Sequence, residues 1–337
     1  MEKEVNVILV IDVQMVVNVG FIGYGNQAKR LEKYFQSDDI IIKSKFHPTK
    51  ISDDYNTKNL EDLLTNDCIF ITSPNDTHFE YLEYLINNFS GYIFCEKPPV
   101  ISDEELTFLK KLSNEKKQKI FFNFNFRFST LNSILKNYLN SKIIGKPIHF
   151  NFLSTHGFAF KKEYSSSWRS NGKINVNNIL DTVAIHYIDF LIFSLGLPQS
   201  HSADLNQITK IGTSNDTTHV TLSFSNGITA SIFVSYASSY INEFSFFGTN
   251  GYLTIKENIL KIFSPRDTFS KNGNFISPPM IKKESFDLEK NYRESLMNSL
   301  NYFFNIVRNS DNILLSHFDS SLASNQIILD YNQFLDQ

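Results

Sequence analysis

The feature that most constrains this chain is a strand, a glycine turn and a helix in immediate succession near its start. Residues 17–22 (VNVGFI) are apolar enough for a buried strand, residues 23–28 (GYGNQA) supply the turn, and residues 27–36 have helical spacing. Apolar strands and helical segments then alternate as far as about residue 128. Because parallel strands need long crossover connections, this alternation predicts a parallel sheet covered by helices on both faces.

The remaining elements of this first half follow the same rhythm. A helix is expected to open at Ser102, an N-cap residue with Glu105 in the capping-box position. Strands are predicted at 40–46, 68–74, 91–98 and 119–128, and helices at 59–65, 77–89 and 102–117.

The pattern changes after about residue 145. Polar and apolar residues alternate through residues 217–263, as in strands with one buried face. The alternation is interrupted by SNG and GTNG, which are hairpin signals. Helices are predicted near 181–195, 291–308 and 319–335. The predicted fold is therefore α/β: an N-terminal Rossmann-type doubly wound parallel sheet at 1–126, followed at 127–337 by an α+β domain with a large, mostly antiparallel open sheet.

Composition limits the classes of protein that this chain can be. Its 337 residues suit two domains, and a formal net charge of −3 gives no electrostatic case for binding nucleic acid. The two cysteines, Cys68 and Cys95, are too few for a disulfide framework and sit beside apolar runs, which suits a cytoplasmic protein. The apolar stretch near the start is interrupted by Asp12, so we expect neither a secretory signal nor a membrane span. Residues 1–14 look surplus, so we expect either that Met15 is the native start or that these residues form a loose extension.

The glycine turn predicts a dinucleotide site. Gly23, Gly25 and Ala28 fit the pattern G-x-G-x-x-A, in which glycines allow a tight turn and a close approach of the backbone to a pyrophosphate at the helix N-terminus. Asn26 and Gln27 complete the turn. A plain tight turn has the same letters, so the motif gains its weight from its place in the first strand–helix unit.

The sequence position that distinguishes NAD-binding from NADP-binding sites departs from the NAD pattern. A carboxylate is expected about 20 residues after the turn, where it would bind the ribose hydroxyls of NAD. Lys45 stands there instead, followed by His47 and Lys50. A basic strand end suits a 2′-phosphate, so NADP is preferred over NAD, with a solvated lysine cluster as the alternative interpretation.

Several separated motifs, in order, resemble those of the Gfo/Idh/MocA family, which includes glucose–fructose oxidoreductase and inositol dehydrogenase. The resemblance extends over nearly the whole chain from Val17. It is carried by GFIGYGNQA at the start, ITSPNDTHFEY, CEKPP, FNFRFS with IIGKPIHF, WRSN, NNILDTVAIHYIDF, and the strand segments FSNGITASI and FFGTNGYLTI.

This resemblance implies an NAD(P)-dependent oxidoreductase that acts on a secondary hydroxyl or ketone of a sugar, nucleotide-sugar or polyol. Lys97 of the E-K-P motif is expected beside the nicotinamide, where an ammonium stabilises negative charge on the substrate oxygen and exchanges a proton. His186 is expected to be the general acid/base. The implied cofactor-binding positions are those of the glycine turn and of Lys45, His47, Ser73, Pro74, Asn75, His78, Glu96 and Lys97.

The helical segment around His186 departs from the family pattern. The usual glycine pair falls on Asn177 and Asn178, and the usual aspartate, four residues before the histidine, falls on Thr182. Asp181 is one residue too early, about 140° away from His186 on a regular helix, so it cannot substitute unless the first turn is irregular. We therefore expect Asp181 to be an N-cap.

Other roles in this region remain open. Asp189, three residues after the histidine, could orient the imidazole of His186. Thr182 either contacts substrate or packs the helix, and Asn178 is a candidate contact for substrate hydroxyls. By resemblance Arg169, with Trp168, lines the sugar site.

Three further expectations complete the sequence reading. Arg127 is interpreted as structural, and the histidines have no paired spacing typical of a metal site. The open sheet predicts a homodimer or homotetramer. Two other functions are compatible with the sequence: an NAD-dependent glycoside hydrolase with a redox-neutral mechanism, and a non-catalytic nucleotide-binding regulator.

Overall fold

The structure is a computed structural model that describes residues 16–172, 178–266 and 268–332. The expectations about residues 1–14, Met15 and Asn177 lie outside this part of the chain. No helix within the described ranges is long and apolar enough to cross a membrane.

The first half of the chain forms a five-stranded parallel sheet with the strand order β2-β1-β3-β4-β5. The central strands are buried on both faces, which explains their continuous apolar sequence. Its elements are β1 (Val17–Ile22), α1 (Asn26–Glu32), β2 (Ile40–Phe46), β3 (Cys68–Ile71), α2 (His78–Asn88), β4 (Tyr92–Cys95), α3 (Asp103–Lys110), α4 (Asn114–Lys117) and β5 (Ile120–Phe122).

The second half forms an eight-stranded sheet with the order β13-β12-β11-β10-β6-β9-β8-β7, antiparallel except where β6 pairs with β9. The predicted fold class is therefore confirmed. Its elements are α5 (Thr130–Ser141), β6 (Pro147–Thr155), α6 (Ile185–Leu195), β7 (Ser200–Asn206), β8 (Thr217–Ser223), β9 (Thr229–Ser235), β10 (Ile241–Gly248), β11 (Gly251–Lys256), β12 (Ile259–Phe263), β13 (Met280–Ser285), α7 (Leu288–Asn309) and α8 (Leu315–Asn332).

Helix α7 returns to the first sheet. Its Phe303 packs edge-on against Phe70 of β3 and Phe94 of β4, with ring centroids 5.5 and 5.3 Å apart, so this late helix covers one face of the parallel sheet. Helix α2 covers the other face through Leu82 and Leu85. The predicted boundary between the two domains, after residue 126, stays a prediction.

Several predicted elements are wrong in extent; the helix predicted at 59–65, for example, is only a 3₁₀ turn at Leu60–Leu63. Helix α1 ends at Glu32 rather than at 36. The residues that follow form 3₁₀-type turns, in which the amide of Phe35, for example, donates to the carbonyl of Glu32 three residues earlier. The segment predicted as helix at 102–117 is two helices, since Ser113 caps a new one by accepting from the amide of Lys116.

The strand predicted at 119–128 is also too long, because β5 ends at Phe122 and a short 3₁₀ turn follows at Asn125–Phe128. The alternating phenylalanines suggested a strand, but the polar residues between them are buried and find specific partners. Asn125 donates to Ser295 of α7 at 2.6 Å, for example. Burying these groups with hydrogen bonds determines the path of the backbone here.

Candidate functional site

The two glycines of the first turn serve different needs. Gly23 has φ +79°, and a Cβ there would lie 2.8 Å from Cα of Ser73, so only glycine fits. Gly25 has an ordinary φ of −90°, and a Cβ there would meet no atom within 4 Å. Neither backbone strain nor packing demands glycine at this second position. The open space above Gly25 therefore fits the close approach of a pyrophosphate.

The other residues of the turn are divided between packing and the site. Ala28 is fully buried under the sheet, and Asn26 is exposed at the start of α1. Gln27 donates from Nε2 to Oε1 of Glu96 at 2.9 Å. The side chain of Gln27 thus links the glycine turn to the end of β4.

The end of β2 carries the expected basic side chains. The ammonium of Lys45 lies 4.0 Å from the ring centroid of Tyr24, a cation–π contact. His47 accepts at Nδ1 from the amides of Thr49 (3.1 Å) and Lys50 (3.2 Å), which fixes its ring. Both Lys45 and His47 are half-buried beside the turn, and their geometry is compatible with a phosphate-bearing ribose.

The loop after β3 is held by a histidine that does not reach the ligand space. Ser73 lies against Gly23, Pro74 is exposed, and Asn75 starts a short 3₁₀ turn. His78 is completely buried, with Nδ1 2.9 Å from the carbonyl oxygen of Pro98 and Nε2 3.0 Å from that of Ser73. The geometry therefore does not support a cofactor contact for His78, which instead ties together the ends of β3 and β4.

Lys97 lies just beyond β4 at the carboxyl edge of the parallel sheet, where open α/β sheets bind ligands. Its Nζ donates to the carbonyl of Thr182 at 2.9 Å and lies 3.4 Å from the carbonyl of Asp181. Desolvation lowers the pKa of Lys97 from 10.5 to about 8, Glu96 opposes that change, and the Arg169 guanidinium adds to it. A lysine with this pKa can both carry charge and exchange a proton near neutral pH.

Glu96 is held firmly next to this lysine. Its Oε1 accepts from Gln27 and, at 2.8 Å, from Nδ2 of Asn123 at the end of β5. Asn123 in turn accepts from Ser299 of α7 at 3.1 Å. Strands β4 and β5, the glycine turn and α7 are therefore joined at one carboxylate, which supplies negative charge beside Lys97.

The segment before His186 contains an irregular turn, which was the condition under which Asp181 could substitute for the usual aspartate. Residues Leu180–Ala184 form a π-helical turn, which takes up one residue more than an α-helical turn. Asp181 is buried there, and its charge raises the pKa of Lys97. The carboxylate of Asp181 accepts from the amide of Asn178 at 3.3 Å, and its charge acts on Lys97 from this turn.

The capping role expected of Asp181 belongs to Asn178. Oδ1 of Asn178 accepts from the amides of Leu180 (2.7 Å) and Asp181 (3.3 Å), so this oxygen closes the start of the turn rather than facing a ligand. Oγ1 of Thr182 donates to the carbonyl of Asn178 at 2.9 Å and also lies 2.9 Å from the hydroxyl of Tyr236. The hydroxyl of Thr182 is therefore engaged within the chain.

His186 lies on the first turn of α6, close enough to Lys97 for the lysine charge to affect it. Burial, and secondly that charge, hold the pKa of His186 well below 6.5, so the imidazole is neutral at pH 7. Its ring stacks on Phe126 with centroids 5.1 Å apart, and its Nδ1 is buried without a hydrogen-bond partner among the described residues. The imidazole is thus in the form that can accept a proton, while burial and the Lys97 charge lower its affinity for that proton.

The expected partner of His186 is not used. Asp189 instead forms a buried ion pair with Arg127, whose Nε donates to Oδ2 at 2.8 Å, and also accepts from Ser324 at 2.9 Å. Arg127 further donates to the carbonyl of His317 at 2.8 Å. The interpretation of Arg127 as structural is confirmed, and the suggestion that Asp189 orients His186 is wrong.

Arg169 approaches the site together with a residue that the sequence did not single out. The guanidinium of Arg169 lies 4.3 Å from the ring centroid of Trp168, and its charge lowers the pKa of both Lys97 and His156. Tyr236, the residue after the end of β9, is buried and hydrogen-bonded to both Arg169 and Thr182. The letters around Tyr236 carry no motif, so only the fold reveals that it borders the site.

Within the described ranges no group of three or more His, Cys, Asp or Glu side chains is placed to hold a metal ion. The fold and site together are those of a nucleotide-binding oxidoreductase: a doubly wound sheet with a glycine turn, facing a lysine–histidine pair. Residues 17–124 match the family model described as "Oxidoreductase family, NAD-binding Rossmann fold", and residues 133–254 match the "GFO/IDH/MocA C-terminal domain". The chain belongs to the Gfo/Idh/MocA oxidoreductase family.

Known relatives agree with this membership. The chain is 26% identical over 219 residues to the uncharacterized oxidoreductase YdgJ of Escherichia coli strain K12, and the match spans 62% of each protein. Levoglucosan dehydrogenase, solved with NADH and L-sorbose, is 17% identical with a TM-score of 0.76, covering 96% of this chain and 98% of its own.

Two more solved structures share the fold. The myo-inositol dehydrogenase of Corynebacterium glutamicum is 17% identical with a TM-score of 0.67, covering 92% of this chain and 95% of its own. A putative NADPH-dependent oxidoreductase of Desulfitobacterium hafniense is 18% identical with a TM-score of 0.74, covering 94% of each chain.

Proposed function

We propose that this chain is an NAD(P)-dependent dehydrogenase that acts on a secondary hydroxyl, or the corresponding ketone, of a sugar or polyol. The observation that carries the proposal is the pairing of Lys97, with its pKa lowered to about 8, and the neutral His186 at the carboxyl edge of the parallel sheet. Structural neighbours that include a levoglucosan dehydrogenase and a myo-inositol dehydrogenase support the substrate class.

The residues that would hold the cofactor are those of the glycine turn and of the β2 end. Gly23 and Gly25 would accept the pyrophosphate, while Lys45 and His47 would face the adenosine ribose. A bound nicotinamide supplies the hydride acceptor for alcohol oxidation, or the hydride donor for the reverse reaction. Because solved neighbours include both an NADH complex and a protein described as NADPH-dependent, either cofactor is compatible.

The proton chemistry belongs to Lys97 and His186. As an alcohol is oxidised, its hydroxyl proton is taken up by the neutral imidazole of His186, and the ammonium of Lys97 stabilises negative charge on the oxygen. In the reverse direction the protonated imidazole returns that proton to the carbonyl oxygen. Asp181 and Glu96 keep Lys97 charged enough for this role, because both carboxylates oppose the desolvation of the ammonium.

The position of Asp181 also bears on the rival functions. A non-catalytic regulator was suggested by the missing aspartate four residues before the histidine, but Asp181 on the π turn brings a carboxylate close to Lys97. This placement favours an enzyme. No feature of the described residues specifically favours a glycoside hydrolase.

The test is the substitution Lys97→Met. We expect turnover of any sugar or polyol substrate to be abolished, while the affinity for the reduced cofactor, followed by nicotinamide fluorescence, changes by less than about threefold. Lys58→Met, at an exposed lysine, is the matched control and should retain both properties. Unchanged turnover in the Lys97 variant would sink the assignment.

The choice of cofactor is open to a paired titration with NADPH and NADH. We expect NADPH to bind more tightly because Lys45 and His47 lie at the end of β2 in place of a carboxylate. A tenfold difference corresponds to about 1.4 kcal/mol. Equal affinities, or a preference for NADH, would contradict the role assigned to these two side chains.

We further propose a homodimer or homotetramer that covers the open face of the eight-stranded sheet with a second copy. That face carries a row of stacked rings, with Phe247 and Tyr252 5.9 Å apart and Tyr252 and Phe263 4.6 Å apart. Phe247 is 38% exposed, and apolar rings in such a row are typical of an interface. A monomer by light scattering at micromolar concentration would refute this proposal.

A further inference from the structure

The guanidinium of Arg169 is a second cation near Lys97, and none of the described residues pairs with it through a carboxylate. The carboxylates of Glu96 and Asp181 both act on Lys97, whose pKa they raise against the effect of desolvation. An arginine side chain keeps its charge at every pH at which proteins are folded, so Arg169 cannot respond to a like charge by losing a proton. The site therefore carries a permanent positive charge that no ion pair of the described residues neutralises.

The backbone that presents Arg169 is fixed by hydrogen bonds on both sides. The amide of Arg169 donates to Oγ of Ser167 at 3.2 Å. The carbonyl of Ser170 accepts from the amide of Thr213, between β7 and β8, at 2.8 Å. These two loops lie so close that a Cβ on Gly212 would be 1.9 Å from the carbonyl oxygen of Ser170. A cation on such a backbone is already ordered, so it loses little conformational freedom when an anion binds.

Hydrogen bonds connect the guanidinium to the same residue that holds Lys97. Oγ1 of Thr182 donates its only proton to the carbonyl of Asn178, so Tyr236 is the donor in the 2.9 Å contact between the two hydroxyls. The Tyr236 oxygen in turn accepts from Arg169. The ammonium of Lys97 donates to the carbonyl of Thr182 at 2.9 Å. Both cations are therefore fixed relative to one residue of the π turn.

The side of the site next to Arg169 is positive and open to solvent. His156 lies just beyond β6, with its ring centroid 4.9 Å from that of Tyr236. Desolvation lowers the pKa of His156, and the charges of Arg169 and Lys161 lower it further. Trp168 is 47% exposed and Arg169 is half-buried. A negatively charged group in solution would be attracted to this side.

We infer that Arg169 is a specificity-determining residue that binds a carboxylate of the substrate, so that the preferred substrate is a sugar acid rather than a neutral sugar. The inference rests on the proposed function and narrows its substrate class. A guanidinium presents parallel N–H groups that match the two oxygens of a carboxylate, and its single charge matches the single charge of that group. Tyr236 is assigned as a positioning residue, because its hydroxyl accepts from one N–H group and so orients the others.

The test measures binding and does not depend on turnover. The protein is saturated with the reduced cofactor, which cannot oxidise an alcohol, and is titrated by calorimetry with three matched pairs: D-glucuronate and D-glucose, D-galacturonate and D-galactose, and D-gluconate and D-glucitol. In each pair a carboxylate takes the place of a CH₂OH group. We expect at least one acid to bind about tenfold more tightly than its neutral partner, or better. This ratio should fall as salt is raised from about 0.05 to 0.5 M, because salt screens the charges.

Two variants of Arg169 separate a carboxylate contact from a general effect on the fold. Arg169→Gln should bring the ratio of the two affinities close to one, a loss of about 10- to 100-fold for the acid. Arg169→Lys should keep part of the ratio, because the charge remains while the paired N–H groups are lost. A purely structural role would change the affinities for acid and neutral sugar alike and leave their ratio unchanged. Arg266→Gln, at an exposed arginine beyond β12, is the matched control and should keep the full ratio.

The outcomes distinguish this inference from the proposed function. If no acid binds more tightly than its neutral partner, or if the ratio survives in Arg169→Gln, the inference is overturned; turnover of neutral sugars would then still support the proposed function. Tighter binding of glucose 6-phosphate than of any acid would overturn the assignment to a carboxylate. Binding of an acid that depends on Arg169, without oxidation of any acidic or neutral sugar by the protein and its oxidised cofactor, would support the carboxylate site and contradict the proposed function.

Discussion

The substitution Lys97→Met should make the protein more stable at neutral pH relative to alkaline pH, even as it abolishes activity. In the folded protein the pKa of Lys97 is lowered from 10.5 to about 8, mainly because the ammonium is desolvated. One pKa unit corresponds to 1.36 kcal/mol, so the charged lysine costs the fold about 3 kcal/mol at pH 7.

The sign of the pH dependence follows from proton linkage. Between pH 8 and 10.5 the unfolded chain holds more protons on this lysine than the folded chain, so the stability of the parent protein rises with pH and the penalty fades. By pH 10 less than about 1 kcal/mol of it remains. Methionine carries no charge and has no such penalty at either pH.

Methionine also leaves the carbonyl of Thr182 without the donor that Lys97 supplied. An unpaired buried carbonyl costs about 1–3 kcal/mol, which offsets part or all of the gain at pH 7. This cost does not depend on pH. The quantity to compare is therefore the difference in unfolding free energy between variant and parent protein, which should be about 2–3 kcal/mol more favourable to the variant at pH 7 than at pH 10.

Urea denaturation of both proteins at the two pH values, without cofactor, measures this quantity. Lys58→Met, at an exposed position, provides a matched control, for which we expect a pH-dependent difference below about 0.5 kcal/mol. A Lys97 variant whose relative stability is the same at pH 7 and pH 10 would refute the reasoning, because it would mean that the ammonium is well solvated.

Three further predictions test other parts of the structure. Gly25→Ala should leave the unfolding free energy nearly unchanged while weakening cofactor binding, measured by fluorescence titration, by about tenfold; Gly23→Ala should instead destabilise the fold by about 1–3 kcal/mol, and equal effects of the two would contradict the division of roles. Lys45→Ala should weaken NADPH binding more than NADH binding, and a loss of the same size for both would show that the lysine does not face a 2′-phosphate. Asp189→Asn should cost about 3–5 kcal/mol in urea denaturation by leaving the Arg127 charge buried, and a cost below about 1 kcal/mol would contradict the buried ion pair.

Much of the fold could be predicted because its signals are local. The strand at 17–22 and the strand at 40–46 were predicted with the bounds that the structure gives, since apolar runs between turns are readable without knowledge of their partners. The path after β5 was not, because the partners of Asn123 and Asn125 lie on α7, more than 160 residues away in the sequence. Periodicity carries no information about such distant partners.

The strand β6 and helix α5 were missed for a related reason. Strand β6 is the central member of the large sheet and pairs with β9 and β10, yet its residues Pro147–Thr155 follow a lysine-rich turn and resemble the linker between two halves. His149 and Asn151 alternate with the buried Phe150 and Phe152, but this strand signal extends over only a few residues. The prediction failed where tertiary pairing, rather than local propensity, determines the strand.

In the candidate site, Lys97 and His186 were found from motifs, whereas the contacts between elements were not. The suggestion for Asp189 failed because spacing along a helix shows which residues share a face but not what lies opposite that face. Arg127 lies opposite Asp189 and binds it. Tyr236 was missed because a single tyrosine just after a strand has no distinguishing pattern. By contrast, the condition stated for Asp181, an irregular first turn, is met by the π turn.

The return of α7 to the first sheet has a consequence for how the protein is made. The strands β1 to β5 leave the ribosome before α7, whose first residue is Leu288. At 5–20 residues per second, the aromatic face that includes Phe70 and Phe94 stays uncovered for roughly 10–40 s during synthesis. The parallel sheet therefore reaches its final packing only after α7 has been synthesised, and a nascent chain stalled before α7 is a natural client for a chaperone.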